Sequence, residues 1–395
     1  MAATLPVMTE ARINPAILSW ALERSGIDAP ALADKLGTPA ARVSSWEAGV
    51  RMPTFRQAKR IAELTHIPFG YLYLAEPPEE PLPIADFRTV GDGPVKPLST
   101  NFRELLNDVL RKQAWFREYR QQQGEPSLDF PGRLDMHSAA TTVAANMKRA
   151  LKITAQDRAE SGNWEDYLRL LIGRIEAAGV LVMRSGIVGN NTHRPLSVDE
   201  FRGFAIADEL APVIFLNARD AKAAQIFTVI HELAHIWLGA SGISNERLGD
   251  VAARDSDIER QCNAAAAEFL VPAEELRGRW TPRQDFAAQV RELARMFKVS
   301  GIVIGRRAVE LRFATWDEFS RFYESERRDW AAAGARRTRG GNAYKTLAVR
   351  NSKLLTKAVL ESALEGRMLL RDAGSMLGIS PAKLRQLADS VYGEK

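Results

Sequence analysis

The segment His231-Glu232-Leu233-Ala234-His235 carries the plainest chemistry in the chain. Histidines four apart lie on one face of a helix, so two imidazole nitrogens can converge on a single metal ion, and the glutamate beside the first is placed to act on a water bound there. The bland reading is two surface histidines on an amphipathic helix. It sits poorly with a chain that has 5 histidines in all and puts two of them at this spacing with the glutamate in place. A catalytic zinc takes three protein ligands and keeps one position open. The third ligand must come from elsewhere.

Downstream, Ser256 to Pro272 reads as an alanine-rich helix that stops near Pro272. Glu259 and Asn263 are four apart on it, so Glu259 can supply the third donor while Asn263 hydrogen-bonds a ligating histidine from behind. Ser256 and Glu259 also form the Ser-x-x-Glu pattern of a capping box, which accounts for the glutamate with no metal at all. Glu268 competes for the ligand role. It lies nine residues beyond Glu259, on the opposite face at 3.6 residues per turn, so one helix cannot present both to one ion. Glu259 is favoured because it alone has an amide partner one turn away. Cys262 reads as a small buried apolar residue, with thiolate ligation or redox sensing as the alternatives.

The elements that must position these residues can be read from periodicity. A helix from about Lys222 to Leu238 carries Ile226, Val229, Ile230, Leu233 and Trp237 on an apolar side. Before it, Val180–Met183, Gly203–Ile206 and Pro212–Leu216 are short apolar runs bounded by Gly, Asn, Asp or Pro, the signature of strands, so this segment mixes α and β. Asn101–Ala178 reads as mostly helical. Four prolines between Glu76 and Pro83 predict a stiff extended linker. In front of it come four short apolar stripes, with Asp28 before Pro30 and Thr38 before Pro39 as expected helix caps and Gly37 as the turn of a helix-turn-helix. Trp46, Phe69, Tyr71 and Tyr73 fall within apolar runs and are expected in that core. A second break, Ala333–Gly341, is small, basic and glycine-bearing. Beyond it the tail has helical periodicity, with Ala373–Pro381 reading as a small second helix-turn-helix-like unit. These breaks divide the chain at 1–75, 76–100, 101–330 and 331–395.

Composition sets the outer bounds. A chain of 395 residues, 46% hydrophobic and 26% charged, is a multidomain globular protein. No apolar run reaches the roughly 18–20 residues of a membrane span, and polar residues interrupt the N-terminus where a secretion signal would be apolar. A single cysteine allows no intrachain disulfide and fits a reducing cytoplasm. The net charge is +5, yet residues 320–395 alone carry 15 Lys/Arg against 8 Asp/Glu, so the basic character belongs to the C-terminal end. Residues 1–75 hold a mild basic excess of two.

HELAHIWLG at 231–239, preceded by the strand segments and followed by IERQCNAAAAEFLVP at 258–272, resembles the ImmA/IrrE family of zinc-dependent endopeptidases, similar in turn to gluzincins. The likeness covers about residues 165–325. It implies a zincin-like α+β fold, zinc ligation by His231, His235 and a glutamate of the second helix, carried here to Glu259, and Glu232 as general base. Leu32–Gly37 and Trp46-Glu47-Ala-Gly49-Val-Arg-Met-Pro53-Thr54 resemble XRE-type helix-turn-helix domains, and Pro83-Ile-Ala-Asp86-Phe87-Arg88-Thr89 is similar to the joint in proteins that fuse the two modules. Such domains commonly carry a base-reading Gln where this chain has Ala40. Arg42, Ser44 and Ser45 are then the residues that could reach DNA, and a protein-contact role is the alternative.

The expected architecture is therefore α+β multidomain: an all-α helix-turn-helix, a central zincin-like domain and a small α-helical C-terminal region. The expected activity is cytoplasmic zinc peptidase action on a repressor or antitoxin-like protein, in a stress-response, mobile-element or toxin–antitoxin setting. DNA is a second partner and no membrane is expected. The run Val213–Leu216 is expected to be an edge strand able to bind an extended peptide by strand addition. The competing function is a DNA-binding regulator whose zincin-like domain senses or binds a partner without turnover.

Overall fold

Caps and turns shape the first of two units, Met1–Pro83 with Pro97–Glu104; in this computed structural model the described residues are 10–86, 98–244, 256–282, 284–333 and 343–392. Helices α1 (Pro15–Ser25), α2 (Ala29–Leu36), α3 (Ala40–Glu47) and α4 (Phe55–Thr65) enclose a core of Ile17, Leu18, Leu32, Val43, Trp46 and Ile61. Asp28 caps α2 as expected, accepting from Ala31 N at 2.8 Å. Gly37 ends α2 at φ 62°, a left-handed turn that costs glycine little and lets α3 pack against α2. The cap expected at Thr38 is not formed. Pro39 takes that position, its φ of −63° suits it, and it has no side-chain acceptor for the first turn of α3. Of the aromatic residues expected in this core, Trp46 is buried, Phe69 and Tyr71 are half-buried, and Tyr73 is exposed with its ring edge-on to Phe69. The proline-rich segment lies on this same unit, where Glu80 pairs with Arg24 at 2.8 Å.

The second unit, Ile84–Lys96 with Leu105–Lys395, is α+β. Its sheet has five strands, β1 (Ala85–Asp86), β2 (Leu181–Ser185), β3 (Gly203–Ile206), β4 (Val213–Asn217) and β5 (Gly242–Ser244), in the order β1-β5-β3-β4-β2. β3 runs antiparallel to both β4 and β5, while β2 lies parallel to β4 and β1 parallel to β5. The expectation that Val213–Leu216 forms an edge is overturned. β4 is hydrogen-bonded on both sides, so none of its ladder is left for an added strand. Alternation sorts the two faces: Val182, Ala205, Ile214 and Leu216 join the main core, while Phe204 and Phe215, paired across β3 and β4, stack with centroids 5.1 Å apart.

Across the core face lies the histidine helix, Lys222–Trp237. The sequence suggests an amphipathic helix, but every residue from Gln225 to Trp237 is buried. It is held between the sheet and the helices Ala140–Leu151, Trp164–Ala177 and Asp257–Leu270. A helix covered on all sides must find partners inside the protein for each polar group it carries.

The tail forms helices Ala343–Asn351, Lys353–Leu364, Leu370–Leu377 and Leu384–Tyr392. They belong to the second unit and are fastened to it by polar contacts. Glu176 accepts from Ser352 Oγ at 2.5 Å and from Lys353 N at 2.8 Å, filling the place of an N-cap for the helix Lys353–Leu364. Lys112 Nζ donates to Asn351 Oδ1 at 2.8 Å. Phe87, Arg88 and Thr89 of the expected joint, and residues 334–341 of the basic break, lie outside the described residues. Among the described residues no helix is long and apolar enough to cross a membrane.

Replacing Glu176 by Ala removes an acceptor from the buried Ser352 hydroxyl and from the part-buried Lys353 N–H. Urea titration of Glu176→Ala should show a loss of about 1–3 kcal/mol; wild-type stability would mean that the tail is held without it.

Candidate metal centre

Two helices and one strand end meet at the site. The i, i+4 spacing on the histidine helix brings the two imidazoles together, with His235 Nε2 3.0 Å from His231 Nε2. The glutamate helix, Asp257–Leu270, starts at Ser256, whose hydroxyl accepts from Glu259 N at 3.4 Å. Glu259 itself does not return a bond to the cap. Its carboxylate turns inward, with Oε2 3.2 Å from His231 Nε2 and Oε1 3.1 Å from His235 Nε2. Ser256 thus fixes where the helix begins, and that register aims Glu259 at the histidines.

The three groups form a triangle of nitrogen, nitrogen and oxygen, all buried. With metal–ligand bonds of about 2.0–2.1 Å, the corners of a zinc tetrahedron stand roughly 3.3 Å apart. The separations of 3.0–3.2 Å match that spacing, and the donor set is one that zinc accepts. Burial pushes the His235 pKa down, which favours the neutral imidazole a metal requires, although Glu259 opposes it. Behind the triangle, Asn263 Oδ1 lies 3.2 Å from His231 Nδ1. As an acceptor it holds the proton on Nδ1 and directs the Nε2 lone pair toward the other donors.

Glu232 sits beside this triangle and is fully buried. Neither of its carboxylate oxygens makes a well-formed hydrogen bond, although Ser244 is near. Burial above all pushes its pKa up, to about 8, with the charge of Glu259 adding to the rise and His231 opposing it. The room it occupies depends on Gly203 of β3. A Cβ there would stand 2.8 Å from Glu232 Oε1 and 3.0 Å from the Phe215 carbonyl oxygen. Neither Gly203 nor Ser244 stands out in the sequence. Ser244 closes β5 with its hydroxyl 3.4 Å from both His235 Nε2 and Glu259 Oε1, and only the fold brings it there.

The competing carboxylate is elsewhere. Glu268 pairs with Arg307 and accepts from Ala273 N at 3.3 Å, on the side of its helix away from the histidines. Cys262 is buried. In the first unit, Arg42 and Ser44 are exposed on α3, whereas Ser45 is half-buried and donates its hydroxyl to the Arg42 carbonyl at 2.6 Å. The structure leaves two of those three side chains open to an outside partner.

Comparison with known families follows the same division. Residues 175–309 match the IrrE N-terminal-like domain of peptidase M78, and residues 18–72 match a helix-turn-helix family. Residues 351–390 match a domain of unknown function, DUF8813. No curated protein matches the chain. The chain thus joins a segment similar to helix-turn-helix domains to one similar to the IrrE-like peptidases, the fusion that its motifs imply.

Proposed function

We propose that the chain is a zinc-dependent endopeptidase acting on a protein partner, with the helix-turn-helix segment as its DNA-binding regulatory arm. The observation that carries this reading is the convergence of His231, His235 and Glu259 on one point with Glu232 beside them. A structural zinc site is closed by four protein ligands, whereas among the described residues this cluster offers three. Zinc, when held there, supplies a Lewis acid that polarises the scissile carbonyl and acidifies water. Glu232 does the proton work: as a carboxylate it takes a proton from water and returns it to the leaving amine nitrogen. Asn263 orients His231, and Gly203 keeps the space in which Glu232 can turn between those two tasks. The fusion with a helix-turn-helix favours a repressor or antitoxin-like substrate in the cytoplasm.

Complete burial of His231, Glu232 and His235 suits a second reading, a DNA-binding regulator whose closed centre carries no turnover. The two are separated by incubating the protein with the products of its neighbouring genes, with and without chelator, and reading fragments by mass spectrometry. Chelator-sensitive cleavage supports the peptidase. Intact partners alongside retained metal support the regulator.

Metal analysis should give one zinc per chain. Glu259→Ala should lose it, while Glu268→Ala should keep it and lose about 1–3 kcal/mol of stability with the Arg307 pair; zinc loss confined to Glu268→Ala would reverse the assignment.

Glu232→Gln should keep zinc and fold but lower turnover about 10²–10⁴-fold. Gly203→Ala, which displaces the same carboxylate, should cost on the order of 10²-fold with zinc retained. Wild-type turnover in both variants would remove Glu232 from the mechanism.

Arg42→Ala should weaken DNA binding by about 1–3 kcal/mol and relax sequence preference in a gel-shift series. A complex that keeps its preference without residues 1–75 would show that the N-terminal segment is not the reader.

A further inference from the structure

A sizeable cavity lies away from the metal centre. About 490 Å³ in volume, it opens between the helix Trp164–Ala177, strand β2, the first turn of the histidine helix and the C-terminal helices. That size falls within the roughly 300–1,000 Å³ typical of small-molecule sites. Its charged lining is lopsided: Arg169, Arg184, Lys222, Lys353 and Lys357 against Glu165 and Glu176. One of the two acids is already committed, since Glu176 accepts from Ser352 and Lys353 N. Arg169 is answered by Asp166 at 2.9 Å.

Arg184 and Lys222 are different. Both are half-buried, and neither has a hydrogen bond or ion pair among the described residues. Burial pushes the pKa of each down, and Arg184 pushes Lys222 down further, with only the charge of Glu165 supporting them. Lys222 also stands in the first turn of the histidine helix, where the backbone dipole is positive and no side chain caps the N–H groups. Two cations without a paired partner lining one cavity call for an anion. Apart from Ser390, the remaining wall, including Leu168, Ile172 and Val349, is apolar.

We propose that this cavity binds a small amphiphilic organic anion, its acidic group held between Arg184 and Lys222 and its apolar body against Leu168, Ile172 and Val349. A nucleotide and an aryl or acyl acid share that chemistry. The site would give a role to the segment matching a domain of unknown function, which contributes Lys353, Lys357 and Ser390 to the wall. It would also place a ligand at one end of the helix that carries the histidines. His231 lies nine residues along from Lys222, about 13 Å of helix. Binding in this cavity does not depend on peptidase activity.

The test uses the full chain and two dyes, 8-anilinonaphthalene-1-sulfonate and its neutral relative N-phenyl-1-naphthylamine, followed by fluorescence titration. The anionic dye should bind once per chain and at least tenfold more tightly than the neutral one. Arg184→Gln/Lys222→Gln should lower its affinity to that of the neutral dye, with the circular dichroism spectrum unchanged, because the substitution relieves like-charge repulsion. Ile172→Trp, which fills the cavity with the charges intact, should abolish binding of both dyes there. Adenosine monophosphate and decanoate, added as competitors, would distinguish a nucleotide from an acyl acid. Equal affinity for the two dyes, absence of saturable binding, or anionic-dye binding unchanged in the variants would overturn the proposal.

Discussion

Two imidazoles and a carboxylate, buried within 3.0–3.2 Å of one another, set the terms for the second unit. Polar groups taken out of water cost several kcal/mol each unless they are answered; on the helix that carries the histidines Glu259 meets both imidazoles, while Glu232 is left without a well-formed hydrogen bond. Much of the surrounding structure serves that meeting. Ser256 starts the glutamate helix in the register that turns Glu259 inward, Asn263 holds His231 from behind, and β3 brings a glycine to the place where Glu232 needs room. The sheet and three helices then seal the histidine helix from water.

The parts of this arrangement that depend on local periodicity are visible in the sequence. The i, i+4 spacing of the histidines and the ends of their helix to within a residue follow from the 3.6 period, and the three longer strands from short apolar runs bounded by Gly, Asn, Asp or Pro. Helical phase likewise separates Glu259 from Glu268, and the structure puts them on different sides, one at the histidines and one on Arg307. Strand order is another matter. Val213–Leu216 has the composition of an edge or of an interior strand, and β2 and β3 decide which by pairing with it from distant parts of the chain. β1 and β5, with two and three residues, are too short for any period to show. Gly203 and Ser244 are unremarkable as residue types, and their roles come from what they approach.

Charge shows a similar limit. The basic excess near the C-terminus can be counted from the sequence, but its placement cannot. Lys353 and Lys357 line a cavity whose other cations, Arg169, Arg184 and Lys222, come from two helices and a strand more than a hundred residues earlier. One of the two acids in that wall, Glu176, directs its acceptors to the backbone and hydroxyl at the start of the helix Lys353–Leu364. A net charge is thus a weaker guide to binding than the number of cations left unanswered in one enclosed space.

His235 and Glu259 stand about two dozen residues apart in sequence and side by side in space. An ion shared between them would close that stretch into a loop, as a disulfide does, and closing a loop of this length restricts the unfolded chain by about 3 kcal/mol. With Cys262 as its single cysteine, the chain cannot make such a link covalently. The crosslink it could make is reversible. Its strength would follow the free metal concentration, so the lifetime of the folded protein would rise and fall with metal supply.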